Sequence, residues 1–98
     1  MTRTVRVRVS GVVQHVGYRM WCARQASVLG LDGWVRNVGS GEVEAVFAGE
    51  AAAIEAMLAA CHQGPPMAKV ASVDVSDAAP GTLALRGGQA GFVVLANA

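Results

Sequence analysis

A glycine-bounded loop followed by an arginine is the stretch of this sequence best suited to chemistry. Residues 9–19 read V-S-G-V-V-Q-H-V-G-Y-R, and the helical pattern that follows makes Gly17 the last residue before a helix. Glycine there lets a ligand approach the backbone closely, and the free N–H groups and dipole of a helix N-terminus attract an anion. Arg19 adds a planar fork of donors that matches two phosphate or carboxylate oxygens. The stretch therefore indicates an anion-binding site, although an ordinary turn with a solvated arginine fits the same residues.

Asn37 is the second candidate, because it ends the predicted strand that contains Trp34 and Val35. A neutral side-chain amide can donate to one oxygen and accept from another. Such a group could hold a water molecule in line with a phosphorus atom. An isolated asparagine before a turn also has the simpler interpretation of a turn residue, so the residue type alone leaves both open.

The remaining candidates for chemistry give weaker signals. The loop matches neither G-x-x-x-x-G-K-[S/T] nor G-x-G-x-x-G, so it is not one of these nucleotide-binding loops. Cys22 and Cys61 fall on apolar helical stripes and are expected to be small core residues rather than nucleophiles. His62 has no partner at a metal-ligand spacing, so no metal site is predicted.

Two periodicities divide the chain into strands and helices. Val5, Val7 and Val9 alternate with polar residues, which is typical of a half-buried strand, whereas apolar residues spaced by three and four predict helices. Gly30 stands where a left-handed residue is expected to end the first helix. The predicted strands span residues 3–9, 33–37, 42–48, 69–77 and 91–95, and the predicted helices span residues 18–29 and 50–61. Residues 78–90 are expected to form a loop because they are rich in glycine and proline.

The order of these elements predicts an α+β protein of the ferredoxin-like class, a split β-α-β sandwich. The order is β-α-β-β-α-β with an additional short C-terminal strand, which implies an antiparallel sheet with two helices on one face. The other face is expected to meet water, with Arg6 and Arg8 lying across from Glu42 and Glu44. The length of 98 residues suits a single domain over residues 1–98, without a repeat or a linker.

Composition excludes several classes of function. The net charge is +1 and 5% of the residues are aromatic, so neither a basic stripe nor a stacking surface for nucleic acid is indicated. The N-terminus lacks the apolar segment of a signal peptide, and no apolar run approaches the roughly 20 residues that span a bilayer. Two cysteines without C-x-x-C spacing do not indicate a disulfide-stapled secreted domain. A soluble cytoplasmic protein is therefore expected.

Three linked motifs resemble those of the acylphosphatase family. They read G-V-V-Q-H-V-G-Y-R, then L-G-L-D-G-W-V-R-N, then G-E-V-E, and their spacing also resembles that of the family. The resemblance implies hydrolysis of acyl phosphates to a carboxylate and inorganic phosphate. It further implies that Arg19 binds the phosphoryl group together with backbone amides of the loop, that Asn37 orients the attacking water, and that no metal or organic cofactor takes part. The implied phosphate-binding residues are His15, Val16, Gly17, Tyr18 and Arg19.

The resemblance also sets expectations about partners and departures from the family pattern. The substrate is expected to be a small-molecule acyl phosphate, with inorganic phosphate as a product, and the protein a monomer without nucleic-acid or membrane partners. The alternative is a non-catalytic phosphate- or anion-binding module on the same fold. His15 replaces the family's loop glycine, Tyr18 its phenylalanine, and Ser40 its aspartate or asparagine. If position 15 requires a positive φ, histidine has a steric cost there that glycine lacks.

Overall fold

The computed structural model describes residues 1–98 and confirms the predicted order of elements. The strands are β1 (Thr2–Val12), β2 (Asp32–Asn37), β3 (Val43–Glu50), β4 (Lys69–Asp77) and β5 (Phe92–Val94). The helices are α1 (Tyr18–Val28), α2 (Ala51–Gln63) and a short 3₁₀ helix, Pro80–Arg86. Neither α-helix has the length and apolarity that a membrane crossing requires.

The strands form one sheet in the order β4-β1-β3-β2-β5. The four longer strands pair antiparallel, as predicted, whereas β5 adds to the edge parallel to β2. Both α-helices cover one face, and a cluster of 15 buried apolar residues lies between the helices and the sheet. The ferredoxin-like α+β class expected from the element order is confirmed.

Alternation in β1 separates the core from solvent. Val5, Val7 and Val9 are buried under the helices, whereas Arg6 and Arg8 on the opposite face are exposed. The alternation works because side chains of a strand point to the two faces in turn. β1 lies between β3 and β4, so its C-terminal end delivers the following loop to the middle of the molecule.

Helix α1 ends where the glycine signal predicted. Gly30 has a φ of 71°, and its N–H donates to the carbonyl of Ser27 at 3.1 Å. The N–H of Leu31 donates to the carbonyl of Ala26 at 2.9 Å. These two bonds are the pair that closes a helix C-terminus around a left-handed residue. The short connection then leads directly into β2.

Two predictions are wrong in part: residues 78–90 do not form only a loop, and the second face of the sheet is not wholly open to water. The 3₁₀ helix Pro80–Arg86 packs on the β2 end of this face, where Trp34 and Val46 are fully buried. The Trp34 indole Nε1 donates to the carbonyl of Thr82 at 2.9 Å. A buried indole N–H requires such a partner, and a loop carbonyl brought onto the sheet supplies it.

The predicted ion pairs on this second face are confirmed. Arg8 Nη1 lies 2.9 Å from Glu42 Oε1, and Arg6 Nε lies 3.4 Å from Glu44 Oε2. Arg36 also binds Glu44, with Nη2 2.8 Å from Oε1. Glu44 is only 3% exposed, so this buried carboxylate is compensated by several guanidinium groups, as burial of a charge demands.

Candidate active site

The loop between β1 and α1 leaves a run of backbone donors free. His15 has a φ of 64° and Gly17 a φ of 80°, so two nearly adjacent residues are left-handed. No backbone carbonyl accepts a hydrogen bond from the N–H groups of residues 15–20, and Trp21 is the first residue of α1 with such a bond, to Gly17. Turns of this kind and helix N-termini present successive N–H groups to an anion. Position 15 therefore does adopt a positive φ, the condition under which histidine has a steric cost that glycine lacks.

Two side chains fasten this loop to different parts of the fold. Gln14 Nε2 donates to the carbonyls of Val38 and Glu42, each at 2.9 Å, and so ties the loop to the β2–β3 turn. The Tyr18 hydroxyl donates to the carbonyl of Cys61 in α2 at 2.8 Å. Sequence reasoning assigned no role to Gln14, although a glutamine directly after two valines in the first motif was the signal available.

Arg19 reaches a partner that the sequence did not predict. Its Nη1 donates to Asn97 Oδ1 at 3.1 Å. The C-terminal segment brings Asn97 there, because the N–H of Leu95 donates to the carbonyl of Val35 and the N–H of Ala98 donates to that of Asn37. The arginine is therefore oriented by a tail that runs along the edge of β2.

Asn37 is the last residue of β2 and carries an unusual polar atom. The residue is 4% exposed, and its Oδ1 is buried without a hydrogen-bond partner. Buried polar atoms nearly always have a partner, and leaving one without costs free energy. The unpaired acceptor therefore points to a donor from a ligand or a water molecule.

The loop, Arg19 and Asn37 meet at one cavity of about 180 Å³. Its lining consists of Val13, His15, Gly17, Tyr18, Arg19, Met20, Asn37 and Val94. The structure thus brings together the predicted residues of the first motif and the asparagine of the second. Val16 is the exception, because its side chain packs against the core and only its backbone belongs to the loop.

Apart from the imidazole of His15, no side chain in the cavity lining is suited to act as a nucleophile or a general base. The lining contains no carboxylate. Burial raises the pKa of the Cys61 thiol to about 11, and it raises the pKa of the Cys22 thiol well above its usual range. Burial also raises the pKa of the Tyr18 hydroxyl. A thiol without access to its thiolate form is inert, which agrees with the core role expected for both cysteines.

The geometry defines a ferredoxin-like protein with a run of free backbone N–H groups at its first strand-to-helix junction. Similarity to known proteins gives the family. A sequence model of the acylphosphatase family matches residues 5–85. An acylphosphatase from Rhizorhabdus wittichii is 52% identical over 79 residues, which are 81% of this chain and 79% of that protein. An acylphosphatase from Rhodospirillum rubrum is 53% identical over 77 residues, which are 79% of this chain and 85% of that protein.

The fold of a solved relative agrees with this assignment. The structure of an acylphosphatase from Coxiella burnetii superposes with a TM-score of 0.84 at 32% identity, covering 96% of this chain and 93% of that chain. The chain belongs to the acylphosphatase family. The expectation of an acylphosphatase enzyme is thereby confirmed, whereas the roles of individual residues stay predictions.

Proposed function

We propose that the protein hydrolyses acyl phosphates in the cavity between the β1–α1 loop and the end of β2. The loop amides of residues 15–19 and the guanidinium of Arg19 hold the phosphoryl group. Asn37 holds the attacking water. The observation that carries the proposal is that Asn37, a buried polar residue, lines the same cavity as Arg19 and the loop with the free amides.

The chemistry of the substrate explains why this cavity needs no strong acid or base. The water oxygen forms a bond to phosphorus, the bond from phosphorus to the acyl oxygen breaks, and the carboxylate leaves with that electron pair. A carboxylate is a good leaving group and requires no proton. The proton of the water passes to a phosphoryl oxygen of the substrate.

The proposed residues supply what phosphoryl transfer most needs, which is positioning and stabilisation of charge on the equatorial oxygens. Arg19 and the amides stabilise this charge. They need little rearrangement when the substrate reacts, because Asn97 already holds Arg19 and Gln14 already holds the loop. Asn37 positions the water: its side-chain amide forms a hydrogen bond with the water and so directs the water oxygen at phosphorus. The alternative of a non-catalytic anion-binding module has no observation that favours it.

The experiment compares Arg19→Ala and Asn37→Ala with the parent enzyme in hydrolysis of benzoyl phosphate. We expect Arg19→Ala to abolish measurable hydrolysis and inhibition by inorganic phosphate. Arg24→Ala, an exposed arginine of the same helix outside the cavity, is the matched control and should keep both. Near-normal turnover by both active-site variants would overturn the assignment.

The asparagine variant separates binding from chemistry. Asn37→Ala should lower kcat by about a hundredfold or more, as loss of a preorganised group does, while the inhibition constant of phosphate stays close to that of the parent. Because the variant removes an unpaired buried acceptor, its unfolding free energy should be equal to or above that of the parent. Loss of phosphate binding in this variant would contradict the division of roles.

The proposal extends to the setting in which the enzyme works. We infer a monomeric, cytoplasmic, single-domain enzyme without a nucleic-acid partner. The net charge of +1 supports the absence of a nucleic-acid partner, and the single buried core cluster supports one domain. Size-exclusion chromatography with light scattering measures the mass of the protein in solution. The mass of one chain is 10.0 kDa. A measured mass of about 20 kDa, that of a dimer, would contradict the monomer.

A further inference from the structure

The lining of the active-site cavity combines polar groups with apolar side chains. Arg19, Asn37, His15 and the loop backbone supply its polar groups. Two of its apolar side chains are exposed and come from separate elements: Met20 in α1 is 56% exposed and Val94 in β5 is 36% exposed. No acidic side chain belongs to the lining. An apolar surface therefore adjoins the anion cradle, formed by Arg19 and the loop amides, directly.

Single exposed apolar residues are common on protein surfaces and require no explanation, as Val28 and Met67 illustrate here. Met20 and Val94 differ because they lie on different elements and still line one cavity together. A substrate whose phosphoryl group lies at Arg19 and the loop amides extends its acyl group towards solvent, the side on which Met20 and Val94 are exposed. Apolar lining with a few placed polar groups is the usual composition of a small-molecule site.

We propose that Met20 and Val94 form the acyl-binding part of the site and favour acyl phosphates with aromatic or bulky apolar acyl groups. The proposal rests on the proposed function, since it names the substrate class for the same cavity. Methionine suits this position because its flexible thioether adapts to differently shaped groups and makes favourable contacts with aromatic rings. A carboxylate-bearing acyl group finds no compensating charge on these two side chains and loses hydration there.

The effect of the acyl contact on KM and kcat depends on the stage of the reaction at which the contact exists. The acyl group touches Met20 and Val94 both before and during transfer of the phosphoryl group, so the contact stabilises the substrate complex and the transition state alike. Such uniform binding lowers KM and leaves kcat nearly unchanged. The two side chains should therefore determine which substrate binds and not how fast it reacts.

The test measures kcat and KM for benzoyl phosphate and acetyl phosphate in the parent, Met20→Ala, Val94→Thr and the double variant. We expect the ratio of kcat/KM for benzoyl over acetyl phosphate to fall by about three- to tenfold in Met20→Ala, mostly through KM. The effect is at the lower end of what hydrophobic contacts contribute in enclosed pockets because this surface is half exposed. Val94→Thr, which keeps the shape of the side chain, should lower the ratio less.

Met67→Ala is the matched control, because Met67 is 74% exposed and lies outside the cavity, and it should leave the ratio unchanged. Inhibition by inorganic phosphate should be the same in all variants, which shows that the cradle is intact. A ratio within twofold of the parent in the double variant would overturn the acyl-binding role while leaving the proposed function intact. Absence of hydrolysis of either substrate by the parent would overturn the proposed function itself.

A charge introduced at position 20 gives an independent test of the acyl-binding role. Met20→Lys should lower kcat/KM for benzoyl phosphate and raise it for a carboxylate-bearing substrate such as succinyl phosphate. The reason is that an ammonium group there compensates the carboxylate and no longer favours a ring. An unchanged preference between these two substrates would count against the proposal, whatever the stability of the variant.

Discussion

The molecule contains two junctions at which a strand feeds a helix on the same face of the sheet, and they differ in what they leave free. At the first, residues 13–17 separate β1 from α1, and the amides that follow have no backbone partner. At the second, β3 ends at Glu50 and α2 begins at Ala51, without a connecting loop. Only the first junction lines the cavity that holds Arg19 and Asn37.

The second junction is closed by the chain itself. The Glu50 carboxylate lies 2.8 Å from the N-terminal ammonium of Met1, and the N–H of Ala51 donates to the carbonyl of Met1 at 2.8 Å. Both helices have the positive end of their dipole at such a junction, so the dipole alone does not create an anion site. The difference lies in the loop, its two left-handed residues and the arginine that follows.

The largest effect is expected from replacing the left-handed glycine of the first junction. Gly17→Ala adds a Cβ that meets no atom within 4 Å, so its damage comes from the φ of 80°. We expect a loss of about 1 kcal/mol in unfolding free energy, the cost of a left-handed non-glycine residue. Because the amides shift, kcat/KM for benzoyl phosphate should fall by about a hundredfold.

Gly30 provides the matched control for this prediction. Its φ is 71° and an added Cβ likewise meets no atom within 4 Å, but it ends α1 outside the cavity. Gly30→Ala should therefore lose a similar unfolding free energy, measured by denaturant titration, and keep its kcat/KM. Equal losses of activity in the two variants would show that general destabilisation, and not the loop, explains the effect.

The second prediction concerns the side chain that fastens the first junction and has no counterpart at the second. Gln14→Leu keeps the size of the side chain but removes both hydrogen bonds to the β2–β3 turn. Two such bonds contribute about 1–2 kcal/mol to the unfolding free energy. We also expect kcat/KM to fall by about tenfold, since the loop amides are no longer held at a fixed position relative to Asn37.

Gln63→Leu is the corresponding change at an exposed glutamine that makes no side-chain hydrogen bond. It should leave stability and turnover nearly unchanged. If Gln14→Leu were destabilised but hydrolysed benzoyl phosphate at the parent rate, Gln14 would serve the fold and not the site.

The first junction was also the part of the molecule that the sequence predicted best. The glycine after α1 marked the end of that helix to within a residue, because local backbone freedom depends on neighbouring residues. The alternating valines predicted β1 but ended it at residue 9, three residues before Val12, because the pattern stops while the pairing with β4 continues. Three motifs at family spacing sufficed to place Arg19 and Asn37 at one cavity. The roles of these residues remain the proposal.

What the sequence did not predict depends on contacts between distant segments. The 3₁₀ helix lies in a stretch whose glycines and proline obscure any periodicity, and its place is determined by the buried indole of Trp34. The bond from Arg19 to Asn97 joins residues far apart in the chain, and an asparagine near a C-terminus carries no pattern of its own. The parallel pairing of β5 with β2 likewise depends on where the connection crosses the sheet.

The third prediction addresses the other left-handed residue of the first junction. His15 has a φ of 64°, and its side chain is exposed. His15→Gly should raise the unfolding free energy by about 1 kcal/mol relative to His15→Ala, because only glycine adopts this conformation without steric cost. Denaturant titrations of the two variants test this difference. Equal stability would mean that the loop tolerates the conformation without strain.

The smallest effect is expected at the second junction. Glu50→Gln removes an exposed ion pair with the N-terminal ammonium, so the unfolding free energy should change by about 0.5 kcal/mol or less. Hydrolysis of benzoyl phosphate should not change, because Glu50 is remote from the cavity lining. Phosphate titration by calorimetry should still give one site, since removing the carboxylate does not supply a loop or an arginine. A second phosphate site in this variant would show that an unblocked helix N-terminus suffices, and the contrast between the two junctions would then rest on Glu50 alone.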